Sequence, residues 1–266
     1  MGQNRYKIIL ATLLLVTMGT VSAEADGLFN FGRGERGSGD VITEQRSVTS
    51  FERIHLECSA DLLITVGSEL SVSVTTDDNL QDNIITEVVS LRTLLIDSKD
   101  SFRTRRGVLV EITVPELTLI EVDGSGDVEI TGLNNRTFEV ELDGSGNIEL
   151  GGKINELNIE LQGSGQIVVN HLTSEMVNIR SQGSGDIEIR GQTEQLEISM
   201  RGSGDIDARR LKATDVFIRI HGSGDAEVYA ETDFDGAVYG SGDIDVYGNP
   251  DNFDRHVSGS GDINRH

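Results

Sequence analysis

The sequence is poor in the residues that usually stabilise or punctuate a globular fold. Among its 266 residues are one cysteine, two prolines and no tryptophan, and aromatic residues make up 5% of the chain. A single cysteine, Cys58, cannot form an internal disulfide, so the fold must draw its stability from elsewhere. We interpret Cys58 as a small buried apolar residue rather than a catalytic thiol.

Positive charge is also scarce. The chain has 22 Lys and Arg against 45 Asp and Glu, and its formal net charge is −23. This balance disfavours nucleic acid and anionic lipid as partners. What the chain has in plenty is glycine, with 31 residues. Together with the lack of aromatics, this favours many short strands and tight turns over a helical globule.

Residues 1–23 predict a cleavable signal peptide. Arg5 and Lys7 precede an apolar stretch at 8–18 that is too short to span a bilayer, and small residues at 21–23 suit a signal peptidase. An uncleaved anchor helix is the alternative. No later stretch is apolar enough to cross a membrane. We therefore expect an exported chain, located in the periplasm, at the cell surface or in the medium.

The most regular feature of the chain is the tripeptide Gly-Ser-Gly, which occurs eight times between Gly124 and Gly261 at intervals of 18 to 20 residues. A flexible Gly/Ser linker would lack the apolar residues that recur between these turns. We expect the glycines to form structural turns, because glycine adopts positive φ without steric cost. These glycines are Gly124, Gly126, Gly144, Gly146, Gly163, Gly165, Gly183, Gly185, Gly202, Gly204, Gly222, Gly224, Gly240, Gly242, Gly259 and Gly261.

Apolar and polar residues alternate on both sides of each turn. Val128 and Ile130 follow the first turn with Glu129 between them, and Phe138, Val140 and Leu142 precede the second. Period two with one apolar face is the signature of a half-buried β-strand. One repeat cannot bury such a face alone, but stacked repeats can.

The sequence therefore predicts an all-β fold, a single-stranded parallel β-helix or β-solenoid with about 19–20 residues per coil. Right-handed crossovers are the default for parallel strands. An antiparallel meander is the alternative, but it would not require the same turn in every repeat.

The chain divides into four predicted segments: 1–23 signal peptide, 24–40 flexible linker, 41–115 divergent N-terminal β part, and 116–266 regular solenoid. In the divergent part, Cys58-Ser59-Ala60-Asp61 is interpreted as a degenerate copy of the Gly-Ser-Gly-Asp corner. Residues 77–85 predict a short helical turn or a long loop, and residues 99–106 a basic exposed loop. Divergent terminal units are expected, because a solenoid end must be protected from edge pairing.

Three segments and the repeated turns resemble the head GIN domain family, a domain of unknown function described as an autotransporter adhesin. The segments are Arg46-Ser47-Val48-Thr49-Ser50-Phe51-Glu52-Arg53-Ile54, Asp61-Leu62-Leu63-Ile64-Thr65-Val66-Gly67 and Val110-Glu111-Ile112-Thr113-Val114-Pro115-Glu116-Leu117. The resemblance covers residues 41–265 and implies a β-helix-like, extracytoplasmic binding protein. The alternating strands of a membrane barrel do not follow the repeats, so we do not expect self-export through a translocator domain.

Carboxylates follow most of the turns and predict two acidic columns along the solenoid, because equivalent positions stack one coil apart. A solvated acidic face is one interpretation. Weak binding of a hard divalent cation such as calcium is the other, since carboxylate oxygens suit it. No other cofactor is expected. The hypothesis assigns metal contacts to Asp186, Glu188, Asp205, Asp207, Asp225, Glu227, Asp243 and Asp245.

No motif for catalysis is evident. The five histidines show no ligand spacing, and no nucleophile elbow, phosphate loop or zinc motif is present. We expect no catalytic residues and interpret the arginines of the repeats as offsetting the acidic columns. A carbohydrate-active enzyme, a polysaccharide lyase or hydrolase on a β-helix, is the alternative. It would require one cleft with one singled-out carboxylate of perturbed pKa.

The sequence thus predicts an exported, non-catalytic repeat protein, an adhesin or envelope scaffold that presents a solenoid surface. Its partner would be carbohydrate or an envelope or surface protein, and not nucleic acid. Tyr229, Tyr239 and Tyr247 are the candidate partner-binding residues, because exposed aromatic side chains stack on sugars or dock proteins. Packing between coils is the alternative role for these rings.

Overall fold

The fold was analysed in a computed structural model, which describes residues 34–266. The predicted signal peptide lies outside the described residues. Two 3₁₀ helices, Asp78–Asn83 and Ser90–Arg92, interrupt an otherwise β chain. The strands are β1 Glu35–Arg36, β2 Val41–Gln45, β3 Arg53–Leu56, β4 Asp61–Val66, β5 Ser71–Asp77, β6 Ile84–Val88, β7 Thr93–Ser98, β8 Phe102–Arg103, β9 Leu109–Val114, β10 Leu119–Val122, β11 Val128–Thr131, β12 Leu133–Leu142, β13 Asn147–Leu161, β14 Gln166–Thr173, β15 Met176–Ser181, β16 Asp186–Met200, β17 Ile206–Ile220, β18 Ala226–Val238, β19 Ile244–Gly248, β20 Asn252–Val257 and β21 Ile263–Arg265.

Parallel pairing between equivalent positions of successive coils confirms the β-solenoid and rules out the antiparallel meander for the repeats. Residues 156–161 of β13 pair with β15, which pairs with residues 195–200 of β16. These strands, which precede each Gly-Ser-Gly corner, form what we call the pre-corner face. The strands that follow each corner form the post-corner face, as where β14 pairs with residues 186–189 of β16. The right-handed crossover stays a prediction.

Each coil is held to the next through the corner itself. The serine N–H of one Gly-Ser-Gly donates to the first glycine carbonyl of the preceding coil, as from Ser203 to Gly183 at 3.1 Å. A Cβ built on Gly204 would lie 2.0 Å from the carbonyl oxygen of Gly185. The corner requires glycine because the neighbouring backbone leaves no room for a side chain.

The predicted reason for these glycines was therefore wrong. Of the sixteen corner glycines, Gly259 alone has φ in the positive range, at 156°. Positive φ occurs instead at the second bend of the coil, after the post-corner strand, as at Gly132 with φ of 82° and Gly191 with φ of 146°. His171 adopts φ of 55° at the corresponding bend of its coil.

The core is one continuous apolar interior built from the inward side chains of stacked coils. Their period-two alternation places every second side chain of a strand inside. One interior column runs through consecutive coils in register, with each member at most 2% exposed. Its members are Ile120, Val140, Ile159, Ile179, Ile198 and Ile218.

The N-terminal coils do not stack in chain order. Strands β3 and β4 pair on one side with β7 and β9, and on the other side with β10 and β11. The first coil therefore lies between the second and the third. The degenerate corner nonetheless stacks against the first regular corner. A Cβ built on Gly124 would lie 2.0 Å from the carbonyl oxygen of Cys58, and a Cβ built on Gly126 would lie 1.8 Å from the carbonyl oxygen of Ala60.

Antiparallel strands close this end of the solenoid. Strand β5 pairs with β9, β2 pairs with β5, and β6 pairs with β7. Changing from parallel to antiparallel pairing covers edges that would otherwise remain open. The helix Asp78–Asn83 agrees with the predicted short helical turn.

Residues 34–40 differ from the predicted flexible linker. Strand β1 pairs with β8 in the predicted basic loop. The backbone N–H of Gly39 donates to Asp77, and that of Ser38 donates to Asn79. The carboxyl of Asp77 also accepts from Thr104, which lowers its pKa. This segment is part of the cap, and the rest of the predicted linker lies outside the described residues.

Candidate functional site

The first acidic column is a structural ladder. One carboxylate oxygen of each corner Asp accepts the backbone N–H of the equivalent residue in the next coil. The distances are 2.9 Å from Asp205 N–H to Asp186, 3.0 Å from Asp225 to Asp205, and 2.8 Å from Asp243 to Asp225. Gln166 occupies the Asp position of its coil. The backbone N–H of Asp186 in the next coil donates instead to the carbonyl oxygen of Gly165, at 3.2 Å. The recurring Asp thus ties coils together.

This ladder gives a mutational prediction at Asp225. We expect Asp225→Ala to lose about 1 kcal/mol of unfolding free energy, because the N–H of Asp243 loses its acceptor. Asp225→Asn retains an acceptor oxygen and should lose clearly less. Denaturant titration of both variants measures the difference. Equal losses would contradict the ladder and attribute the effect to charge alone.

The second acidic column is largely paired with its neighbours on the post-corner face. Glu188 forms an ion pair with Arg190. Arg209 lies 3.6 Å from Asp207 and 2.8 Å from Glu227. For Arg190 and Arg209 this bears out the interpretation that arginines offset the column. Calcium binding along the two columns stays a prediction, to be checked by calorimetry in moderate salt.

Two of the candidate tyrosines pack into the post-corner face. Tyr229 and Tyr247 are register partners in adjacent coils. Arg209 lies over the Tyr247 ring at 5.8 Å, and its contact with the Tyr247 hydroxyl raises the pKa of the guanidinium. His266 stacks on Tyr247 at 5.1 Å and hydrogen-bonds Asp245, which lowers the pKa of that carboxyl. These rings fit the alternative role of packing between coils.

Tyr239 lies on the other side of the corner, within an exposed group of cationic and aromatic side chains. Arg201, His221 and Tyr239 occupy the same outward position in consecutive coils, immediately before each Gly-Ser-Gly. The His221 and Tyr239 rings stack at 4.7 Å, and His256 lies 5.6 Å from Tyr239. Phe217 and Tyr239 are 37% and 42% exposed.

We call this group the basic–aromatic patch. Arg219 contributes its guanidinium, which is held at 3.0 Å from Asp235, while Arg201 forms no ion pair within residues 34–266. The patch brings guanidinium, imidazole and aromatic side chains together on a strongly acidic chain. It consists of Arg201, Phe217, Arg219, His221, Tyr239 and His256.

Open polar grooves run along a different edge of the coils, where the chain enters the pre-corner face. Two adjoining depressions of about 390 and 670 Å³ share Asn155, Glu175 and Glu194. Asp215 lines the larger one, and burial, followed by the nearby charge of Asp233, raises the pKa of its carboxyl. Asp215 is thus a carboxylate of the kind that the enzyme alternative requires.

Cys58 is 8% exposed, and burial raises the pKa of its thiol. A raised pKa lowers the thiolate fraction, which is the nucleophilic form. The position agrees with the interpretation of Cys58 as a packed corner residue.

A family model described as "Putative auto-transporter adhesin, head GIN domain" matches residues 50–170 and 151–250. No curated protein matches the sequence. Within residues 34–266, no helix has the length and apolar character needed to cross a membrane.

Solved structures share the fold over 88% of this chain. A "putative lipid binding protein" from Parabacteroides distasonis is 28% identical with a TM-score of 0.81, and is covered over its full length. A "putative adhesin" from Bacteroides fragilis is 26% identical with a TM-score of 0.67, also over its full length. A "putative adhesin" from Parabacteroides merdae, 20% identical with a TM-score of 0.82 over 99% of its length, shows the fold alone.

Proposed function

Because this chain belongs to the auto-transporter adhesin, head GIN domain family, we propose that it is an exported, non-catalytic binding module that holds an acidic carbohydrate on the basic–aromatic patch. The family and its structural neighbours carry adhesin or lipid-binding names rather than enzyme names. The observation that supports this proposal most directly is the patch itself, which places stacked exposed rings beside Arg201.

The chemistry of the patch suits sugar acids. Exposed aromatic rings pack against the apolar faces of sugar rings, and a guanidinium binds a carboxylate in a bidentate manner. The His221 and Tyr239 rings lie one coil apart, so a chain of sugars could run along them. The solenoid holds this platform rigid, which reduces the entropy cost of binding.

The net charge of −23 does not oppose this proposal. The corner aspartates, such as Asp225, belong to the post-corner face, whereas the patch belongs to the pre-corner face. Salt screens exposed charges beyond about 8 Å at physiological ionic strength. An acidic sugar at the patch therefore responds mainly to the charges of the pre-corner face, where Arg219 is paired with Asp235 and Arg201 supplies a further guanidinium.

Binding of oligogalacturonate, measured by calorimetry, tests the proposal. The variant Arg201→Gln/Tyr239→Ala should bind at least about tenfold more weakly, a loss of about 1.4 kcal/mol. Arg209→Gln/Tyr247→Ala, a matched pair on the post-corner face, should bind within about twofold of the unmodified chain. Neutral dextran should bind weakly or not at all.

Other outcomes would overturn the assignment. An equal loss of affinity in both double variants would show that the patch is not the binding surface. Binding to anionic phospholipid vesicles but not to oligogalacturonate would favour a lipid headgroup, in line with the name of the Parabacteroides distasonis protein.

The enzyme alternative rests on one observation, the raised pKa of Asp215 in the larger groove. A general acid in a glycosidase has such a raised pKa. If this groove cleaves polysaccharide, reducing ends should accumulate with the unmodified chain and not with Asp215→Asn. Absence of cleavage across acidic and neutral polysaccharides would favour the binding module.

A further inference from the structure

A histidine surrounded by carboxylates lies at the N-terminal end of the pre-corner face. The Nε2 atom of His55 is 2.9 Å from Asp123 Oδ2 and 3.8 Å from Glu121 Oε1. The three ligand atoms lie within 4.8 Å of one another, and no other group of three such side chains in residues 34–266 converges in this way. The acidic columns of the post-corner face are not part of this group.

The second ring nitrogen also faces a carboxylate, because Nδ1 of His55 lies 3.5 Å from Glu57 Oε1. In the tautomer with the proton on Nδ1, facing Glu57, the lone pair of Nε2 is directed toward Asp123 and Glu121, where a metal ion would accept it. The four side chains therefore form a donor set with its own orienting group.

The backbone holds these side chains rigidly. His55 and Glu121 are register partners in the parallel ladder of β3 and β10. Glu57 and Asp123 each lie two residues further along the same face, next to the degenerate corner. This arrangement exists because the first coil inserts between the second and the third, which places residues 66 to 68 positions apart side by side.

The surroundings are rich in negative charge. Glu141 is the register partner of Glu121 in the next coil, and Glu160 is the register partner of Glu141 in the coil after it. A bound divalent cation would relieve the repulsion between these carboxylates.

We propose that His55 Nε2, Glu121 and Asp123 bind one divalent transition metal ion, with Zn²⁺ as the fitting species. Zn²⁺ takes imidazole nitrogen and carboxylate oxygen at about 2.0–2.2 Å, so in its tetrahedral geometry the ligand atoms lie about 3.3–3.6 Å apart. Small side-chain rotations bring the three atoms into that range. Calcium fits less well, because it prefers oxygen ligands alone.

Three protein ligands leave a coordination position for water or for a group of a partner. The site lies on the same face as the basic–aromatic patch, at the other end of the coil stack. The metal site does not depend on the patch, so either proposal can be overturned while the other stands.

Zinc calorimetry on the full chain, in buffer with excess calcium, tests the site. We expect one saturable equivalent per chain, weakened at least about tenfold in His55→Gln and in Asp123→Asn. The matched control is His266→Gln, which removes a histidine that contacts a carboxylate, Asp245, at 2.9 Å. This control should bind as the unmodified chain does.

A spectroscopic measurement distinguishes loss of metal binding from loss of folding in a destabilised variant. Cobalt added to the unmodified chain should give a visible absorption band, which zinc displaces and which His55→Gln lacks while its thermal transition is retained. No saturable zinc binding, or equal affinity in His55→Gln and the unmodified chain, would overturn the proposal. Binding that calcium abolishes would assign the ion to acidic side chains alone.

Discussion

Replacing Phe138 with alanine is expected to cost about 3–5 kcal/mol of unfolding free energy. The ring is fully buried and faces the continuous core opposite Leu157 of the next coil. Alanine removes the apolar area of the ring and leaves a cavity that the stiff parallel ladder cannot collapse. Because neighbouring coils share this core, the loss extends beyond one repeat. Urea titration followed by circular dichroism measures the change.

The matched control is Phe217→Ala, which removes the same side chain from an outward position that is 37% exposed. It should cost less than about 1 kcal/mol, since surface substitutions have small effects. Comparable losses in the two variants would contradict the assignment of Phe138 to the core and Phe217 to the surface.

The sequence was sufficient to predict the parallel ladder and the corner positions, because both repeat at a fixed interval. The spacing of Gly124 through Gly261 set the coil length, and the alternation around Val140 and Ile159 set the inward face. The degenerate corner at Cys58-Ser59-Ala60 was recognised by size alone. Composition and period were enough for these features because each is encoded locally and repeated.

The order of the first coils was beyond such reasoning. Strand β10 lies beside β3 although six strands, β4 to β9, separate them along the chain. No local pattern distinguishes stacking in chain order from insertion, because every strand carries the same alternation. For that reason the meeting of His55 with Glu121 and Asp123 could not be predicted, and histidine spacing gave no signal.

The basic–aromatic patch had a detectable signal that was missed. Aligning the repeats on the residue before Gly-Ser-Gly places Arg201, His221 and Tyr239 in one column. The residue after the turn predicts an acidic column instead, and its carboxylates accept hydrogen bonds from the backbone of the next coil. Arg219 does not offset the acidic columns as predicted, because it contacts Asp235 on the pre-corner face.

Replacing Gly204 with alanine should lower stability by about 3 kcal/mol, the upper part of the range for overpacked sites. In a chain of this size that corresponds to a fall in melting temperature of about 6–12 °C. The added Cβ would lie 2.0 Å from the carbonyl oxygen of Gly185, a backbone atom that cannot rotate away. The corner must open, and the hydrogen bond from Ser203 to Gly183 weakens with it.

The control for this prediction is Gly67→Ala, where the nearest atom to the new Cβ is Thr113 Cγ2 at an ordinary 3.6 Å. That variant should be as stable as the unmodified chain or slightly more stable, because alanine reduces the freedom of the unfolded chain. If Gly204→Ala melted at the same temperature as Gly67→Ala, the close approach of coils would not be the reason for glycine at the corner. A large fall in Gly204→Ala alone would attribute the repeated Gly-Ser-Gly to contact between coils, a role independent of any ligand.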